Sequence, residues 1–85
     1  MYSENLKDLI GKNIAAHRKR SGLTQVELAD KLNYSDKAVS KWERGDSLPD
    51  VAVLKQISDL FHVTMDYLVT EDHSQTNHER IHYQG

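Results

Sequence analysis

Thr24 to Gly45, TQVELADKLNYSDKAVSKWERG, reads as two short helices joined by a tight turn. Thr24-Gln25-Val26-Glu27 fits a capping box, in which the threonine hydroxyl accepts from the backbone N–H three residues on and the glutamate carboxylate reaches back. Val26, Ala29 and Leu32 then repeat at helical spacing, with Leu28 beside them. Asn33 follows where the helix must stop, and asparagine tolerates the left-handed conformation better than most residues with a side chain. Ser35 is a good N-cap for a second helix, in which Ala38, Val39 and Trp42 turn inward while Asp36, Lys37, Ser40, Lys41 and Arg44 are left outside. Gly45 closes it. Two capped helices and a short turn make a helix-turn-helix, and an outer polar face of this size fits a DNA major groove.

The flanking segments supply the rest of a core. Leu6, Leu9, Ile10, Ile14 and His17 fall on one side of a helix that starts near Ser3 or Asn5 and ends at Ser21-Gly22. Leu23 then enters the core before Thr24 caps the next helix. After Gly45, Asp46-Ser47-Leu48-Pro49 is a loop, and Asp50 caps a fourth helix whose stripe is Val51, Leu54, Ile57 and Phe61, with Val53 and Leu60 at its edges. His62-Val63 breaks the chain, Thr64 caps again, and Met65, Leu68 and Val69 form a short fifth helix. No stretch shows the alternation of a strand, so the fold class is all-α with five helices.

Composition narrows the function. Eighty-five residues make one small domain, and without cysteine neither a disulfide nor a thiolate metal site is available. No apolar run approaches the roughly 20 residues that span a bilayer, and the N-terminus lacks a basic region followed by an apolar one, so a cytoplasmic location is expected. The net charge of −2 hides an asymmetry: residues 1–44 hold nine Lys/Arg against six Asp/Glu, and residues 45–85 hold two against seven. A basic half followed by an acidic one suits a protein that presents one face to phosphates, although ordinary surface charge gives the same count. Residues 71–85, EDHSQTNHERIHYQG, contain one aliphatic side chain and are expected to be a disordered tail to a domain over 1–70. His78 and His82 are four apart, with His73 five before His78, yet nothing fixes a ligand set around them, and neither metal nor cofactor is expected.

LTQ followed by ELA, then SKWERG, then LPD is a set of spaced matches, and the run from Leu23 to Asp50 resembles the Xre family, the phage repressor and Cro type of helix-turn-helix domain. The similarity extends over roughly Leu6 to Thr70. It implies a lambda-repressor-like five-helix domain that binds double-stranded DNA as a transcriptional regulator, most often a repressor, with residues 35–44 as the recognition helix. It also implies a homodimer on a two-fold operator, with contacts from the Leu48-Pro49 loop and the region from Phe61 to Val69. Many relatives continue into a further region, so the chain is expected to be the DNA-binding piece of something longer.

The resemblance also assigns residues. Gln25 matches the family's glutamine that donates to a phosphate at a helix N-terminus, and Arg44 is placed for a second backbone contact, with Tyr34 and Ser35 as further phosphate candidates. Asp36, Lys37, Ser40 and Lys41 match the base-contacting positions, where lysine donates to guanine O6 and N7. Asp36 has two readings, an acceptor for cytosine N4 or an acid that suits the first turn of a helix. Arg18 and Glu43 are implied to form a buried or half-buried structural ion pair. His17 stands where family members commonly carry leucine, and is either a half-buried histidine with one partner or a pH sensor. Trp42 lies on the inner face and is read as core rather than as a base-stacking platform. The competing reading is an antitoxin-type module that binds a partner protein through its acidic half as well as DNA; an enzyme fits poorly, because no nucleophile, base and oxyanion donor cluster together.

Overall fold

The computed structural model describes residues 2–70, with side chains from residue 6 onward; His73, His78, His82 and the rest of the expected tail lie outside the described residues. Five helices follow in order: α1 Tyr2–Arg20, α2 Gln25–Leu32, α3 Asp36–Arg44, α4 Val51–Phe61 and α5 Met65–Leu68. The first begins slightly earlier than the apolar pattern suggested. No helix among the described residues is long and apolar enough to cross a membrane.

Local chemistry sets most of the boundaries. Thr24, Ser35, Asp50 and Thr64 each accept a backbone N–H three residues on, and Glu27 closes the capping box on Thr24. The far ends of α1 to α4 share one device: Gly22, Asn33, Gly45 and His62 all have φ between 60° and 79°. In each case the next residue donates back across five positions, as from Leu23 to the Arg18 carbonyl and from Tyr34 to that of Ala29, which is a Schellman closure. Helices of eight and nine residues, as α2 and α3 are, do not persist alone in water, so these caps act together with burial.

The core is built from every helix. Ile10 and Ile14 of α1 meet Leu28, Ala29 and Leu32 of α2, Val39 and Trp42 of α3, Val53 and Ile57 of α4, and Leu68 of α5. Two expected inward positions are corrected: Val26 is 61% exposed and Val51 is 72% exposed. At about 100° per residue, Val26 stands roughly 110° round α2 from the centre of the Leu28, Ala29 and Leu32 face. In α4 the stripe is turned by roughly 60° towards Val53 and Leu60, which leaves Val51 overhanging at the first turn. Ser58, buried on α4, donates its hydroxyl to the Lys55 carbonyl at 2.8 Å and so carries no unsatisfied polar atom inward.

α1 packs chiefly on α3, and α2 packs on α3 from its own side. Gly11 sets how closely α1 approaches: a Cβ there would overlap the Trp42 carbonyl oxygen and stand 3.0 Å from that of Glu43. Both are backbone atoms and neither can rotate away. Asn13, two residues on and on nearly the opposite side of α1, donates to the carbonyls of Leu68 at 2.7 Å and Thr70 at 3.1 Å, tying α1 to the end of α5. Gly11→Ala is therefore expected to push α1 off α3 and to destabilise the domain by about 1–3 kcal/mol or more, measured by urea unfolding followed through Trp42 fluorescence. An unchanged midpoint would mean that the two helices are not in backbone contact.

Candidate nucleic-acid interface

The inner face of α3 decides what its outer face presents. Val39 and Trp42 are buried, and the Trp42 ring is met by Tyr34 from the turn at a centroid distance of 5.5 Å and an interplanar angle of 57°. Tyr34 is thus exposed on one side and packed on the other. With that face occupied, Asp36, Lys37, Lys41 and Arg44 are exposed and Ser40 is half-buried. Lys37 and Lys41 stand one turn apart, and Asp36, Ser40 and Arg44 make the adjacent row at four-residue spacing. Among the described residues no ion pair engages Lys37 or Lys41.

Arg44 is not a free cation. Its Nε and Nη2 converge on Asp46 Oδ2 at 3.0 and 2.9 Å, and its Nη1 donates to Ser40 Oγ at 2.6 Å. The sequence pattern predicts only a loop at Asp46; the signal for the pair is an acid two residues beyond an arginine, directly after a helix-ending glycine. Ser35 Oγ accepts from the Ala38 N–H at 3.2 Å, which is its capping role, and the hydroxyl hydrogen is left for another acceptor.

Behind this face lies a three-helix junction. Arg18 of α1 donates through Nε to Glu43 Oε2 at 2.6 Å and through Nη2 to Oε1 at 3.0 Å, while its Nη1 reaches the Leu23 carbonyl at 2.9 Å. Gln25, first residue of α2, donates through Nε2 to the same Glu43 Oε1 at 3.0 Å. The hydrogen bond to Glu43 holds the Arg18 guanidinium above its ordinary pKa against the opposing cost of burial. Gln25 is therefore oriented by Glu43, and its amide nitrogen retains a second hydrogen. That link was not legible in the sequence, because it joins residues 18 positions apart. His17, away from this junction, is half-buried with its ring stacked on Phe61 at 5.5 Å and tilted against Tyr67 at 5.3 Å.

Residues 14–68 match the family described as Helix-turn-helix. The chain belongs to that family. As a helix-turn-helix protein it is 36% identical over 70 residues to the HTH-type transcriptional regulator ImmR of Bacillus subtilis, a match covering 82% of this chain and 55% of ImmR. It is 41% identical over 70 residues to the HTH-type transcriptional activator BcrR of Enterococcus faecalis, covering 81% of this chain and 30% of BcrR. Among solved structures, the c2 repressor of phage P22 in complex with a synthetic operator superposes with a TM-score of 0.70 at 33% identity, covering 75% of this chain and 97% of that one. The chain spans about half the length, or less, of these first two relatives.

The junction has a direct consequence for stability. Glu43 and Arg18 side chains are only 8% and 12% exposed, so removing the carboxylate strands a buried guanidinium. Glu43→Ala is expected to cost about 3–5 kcal/mol in chemical denaturation, and Glu43→Gln less, because the amide oxygen still accepts from one donor. Equal, negligible losses in both variants would show that the ion pair does not hold the helices.

Proposed function

We propose that this chain is the DNA-binding part of a transcriptional regulator, with α3 in the major groove and the start of α2 against the phosphate backbone. The observation that carries the reading is the division of α3 into a locked inner face and an outer one on which Lys37 and Lys41 are exposed. Lys37 and Lys41 read guanine-containing positions, Ser40 and Asp36 contribute to the same readout, and Gln25, held by Glu43, donates its remaining amide hydrogen to a phosphate. Arg44 serves a second phosphate, and Tyr34 and Ser35 flank the backbone from the turn. Arg18 and Glu43 act from behind, by fixing α3 and Gln25 relative to one another.

Operator occupancy is supported by the likeness to the P22 c2 repressor, whose structure holds a synthetic operator, and a homodimer on two half-sites is the mode this reading prefers, since one helix-turn-helix covers a single half-site. Leu48 and Val51, both large, apolar and exposed near the loop after α3, are the dimer contacts this reading favours, together with Val69. Regulation by activation is a second reading, which the 41% identity to the activator BcrR supports. A reporter placed behind the bound site separates lowered from raised transcription.

Selection of sites from random duplex DNA tests the whole reading, since it returns half-site, spacing and symmetry together. Affinity is expected to fall with salt at a log–log slope of about −0.9 per phosphate neutralised. Lys37→Ala and Lys41→Ala are each expected to cost on the order of 1–3 kcal/mol at particular base pairs and to relax preference there. Gln25→Ala is expected to weaken all sequences alike. Recovery of no enriched sequence, or binding indifferent to both lysines, overturns the assignment.

A further inference from the structure

We infer that Asp46 stands in for a DNA phosphate on Arg44, so that the free protein carries an intramolecular competitor at the end of its recognition helix. The inference rests on the DNA-binding reading above and deepens it. The planar guanidinium fork that recognises a carboxylate recognises a phosphate by the same geometry. Here two of its nitrogens, Nε and Nη2, are directed at Asp46 Oδ2 at 3.0 and 2.9 Å, and the third, Nη1, holds Ser40 Oγ at 2.6 Å. One side chain thus links a phosphate-directed position to a base-directed one.

The backbone, not the ion pair, puts Asp46 there. Gly45 adopts φ 79° and the Asp46 N–H donates to the Lys41 carbonyl at 2.9 Å, so the residue after the glycine is carried back alongside the last turn of α3. An acid at this end of a helix faces the negative pole of the dipole, and helix stability gives no reason for it. Its partner is Arg44. The two side chains are 57% and 54% exposed, and a solvated pair of this kind contributes little to folding, so it opens readily when a stronger anion arrives.

When α3 seats in the groove, Arg44 exchanges Asp46 for a phosphate. The carboxylate that it leaves then lies close to the DNA backbone and retains a counterion, which offsets part of the counterion release that drives binding. Every duplex is bound less tightly than the lysine and arginine content implies. Shallow, sequence-indifferent encounters lose most, because the exchange is completed only at full depth. Ser40, accepting from Arg44, keeps its own hydrogen to donate, which directs it to acceptors on the base edge such as guanine O6 or adenine N7.

The test is a double-mutant cycle on DNA. Wild type, Asp46→Asn, Arg44→Ala and the double variant are titrated by fluorescence anisotropy against a random-sequence duplex and against the selected site, over a range of salt. Asparagine keeps the backbone N–H and the side-chain size, so thermal unfolding of Asp46→Asn should stay within about 2 °C of wild type. Asp46→Asn is expected to tighten binding to the random-sequence duplex about 3- to 10-fold at low salt and to the selected site by a smaller factor, and to steepen the log–log salt slope by up to about 0.9. In the Arg44→Ala background the same change should give less than about a twofold gain. An unchanged affinity in Asp46→Asn, while wild type binds, overturns this inference alone. So does a gain of the same size without Arg44, which makes Asp46 a bulk charge and not a competitor. If neither wild type nor Asp46→Asn binds any duplex, the DNA-binding reading falls and takes the inference with it.

Discussion

The carboxylate of Glu43 accepts three hydrogen bonds from two helices other than its own, two from Arg18 and one from Gln25. Apolar contacts at Val39 and Trp42 press α3 onto the core, but such contacts are non-directional and tolerate some rotation about the helix axis. A charged group beside Trp42 does not. Turning α3 by one residue, roughly 100°, would carry Glu43 away from both donors and leave the Arg18 guanidinium buried without its counter-charge. The ion pair need add nothing to net stability to matter: it makes one orientation of the outer face far cheaper than its neighbours.

Orientation alone leaves α3 free to slide, and Gly11 removes that freedom. Its missing side chain lets the α1 backbone rest against the Trp42 and Glu43 carbonyls, so depth is defined by atoms that have no rotamers. The short connections complete the constraint. Each of the first four helices ends in a left-handed residue whose successor closes back by a hydrogen bond, and the next helix then begins at a side-chain cap, so little slack remains between elements. Rotation, depth and the approach of α2 are therefore fixed by different residues, and the positions at 36, 37, 40 and 41 can vary without disturbing any of them.

This separation explains what the sequence revealed. Caps at Thr24, Ser35, Asp50 and Thr64, and stops at Asn33 and Gly45, were legible because each acts on its own backbone within a few residues. The inner face of α3 was legible too, since a tryptophan three residues from a valine leaves little choice. Val26 and Val51 were misplaced because periodicity gives the set of apolar positions but not where the partner helix stops; both lie at a first turn that overhangs the core. The hydrogen bond from Gln25 to Glu43 and the close approach at Gly11 could not be read, as they depend on helices distant in sequence. Asp46 fell between the two cases. Its partner is two residues away, yet the carboxylate comes alongside Arg44 only because Gly45 turns the chain back.

The modest charge of the outer face then becomes intelligible. On the proposed reading, a chain with net charge −2 engages DNA by local arrangement, not by its overall field, and within the proposed face one cation of three is already neutralised by Asp46. Weak general attraction has a use. A regulator must find few sites among a great many competitors, so what counts is the ratio of specific to non-specific affinity. Lowering the sequence-independent part raises that ratio whenever the full complement of contacts forms only at the right site. Two such domains on one operator would multiply the effect, because each half-site contributes its own discrimination while a lone domain on random DNA retains little affinity.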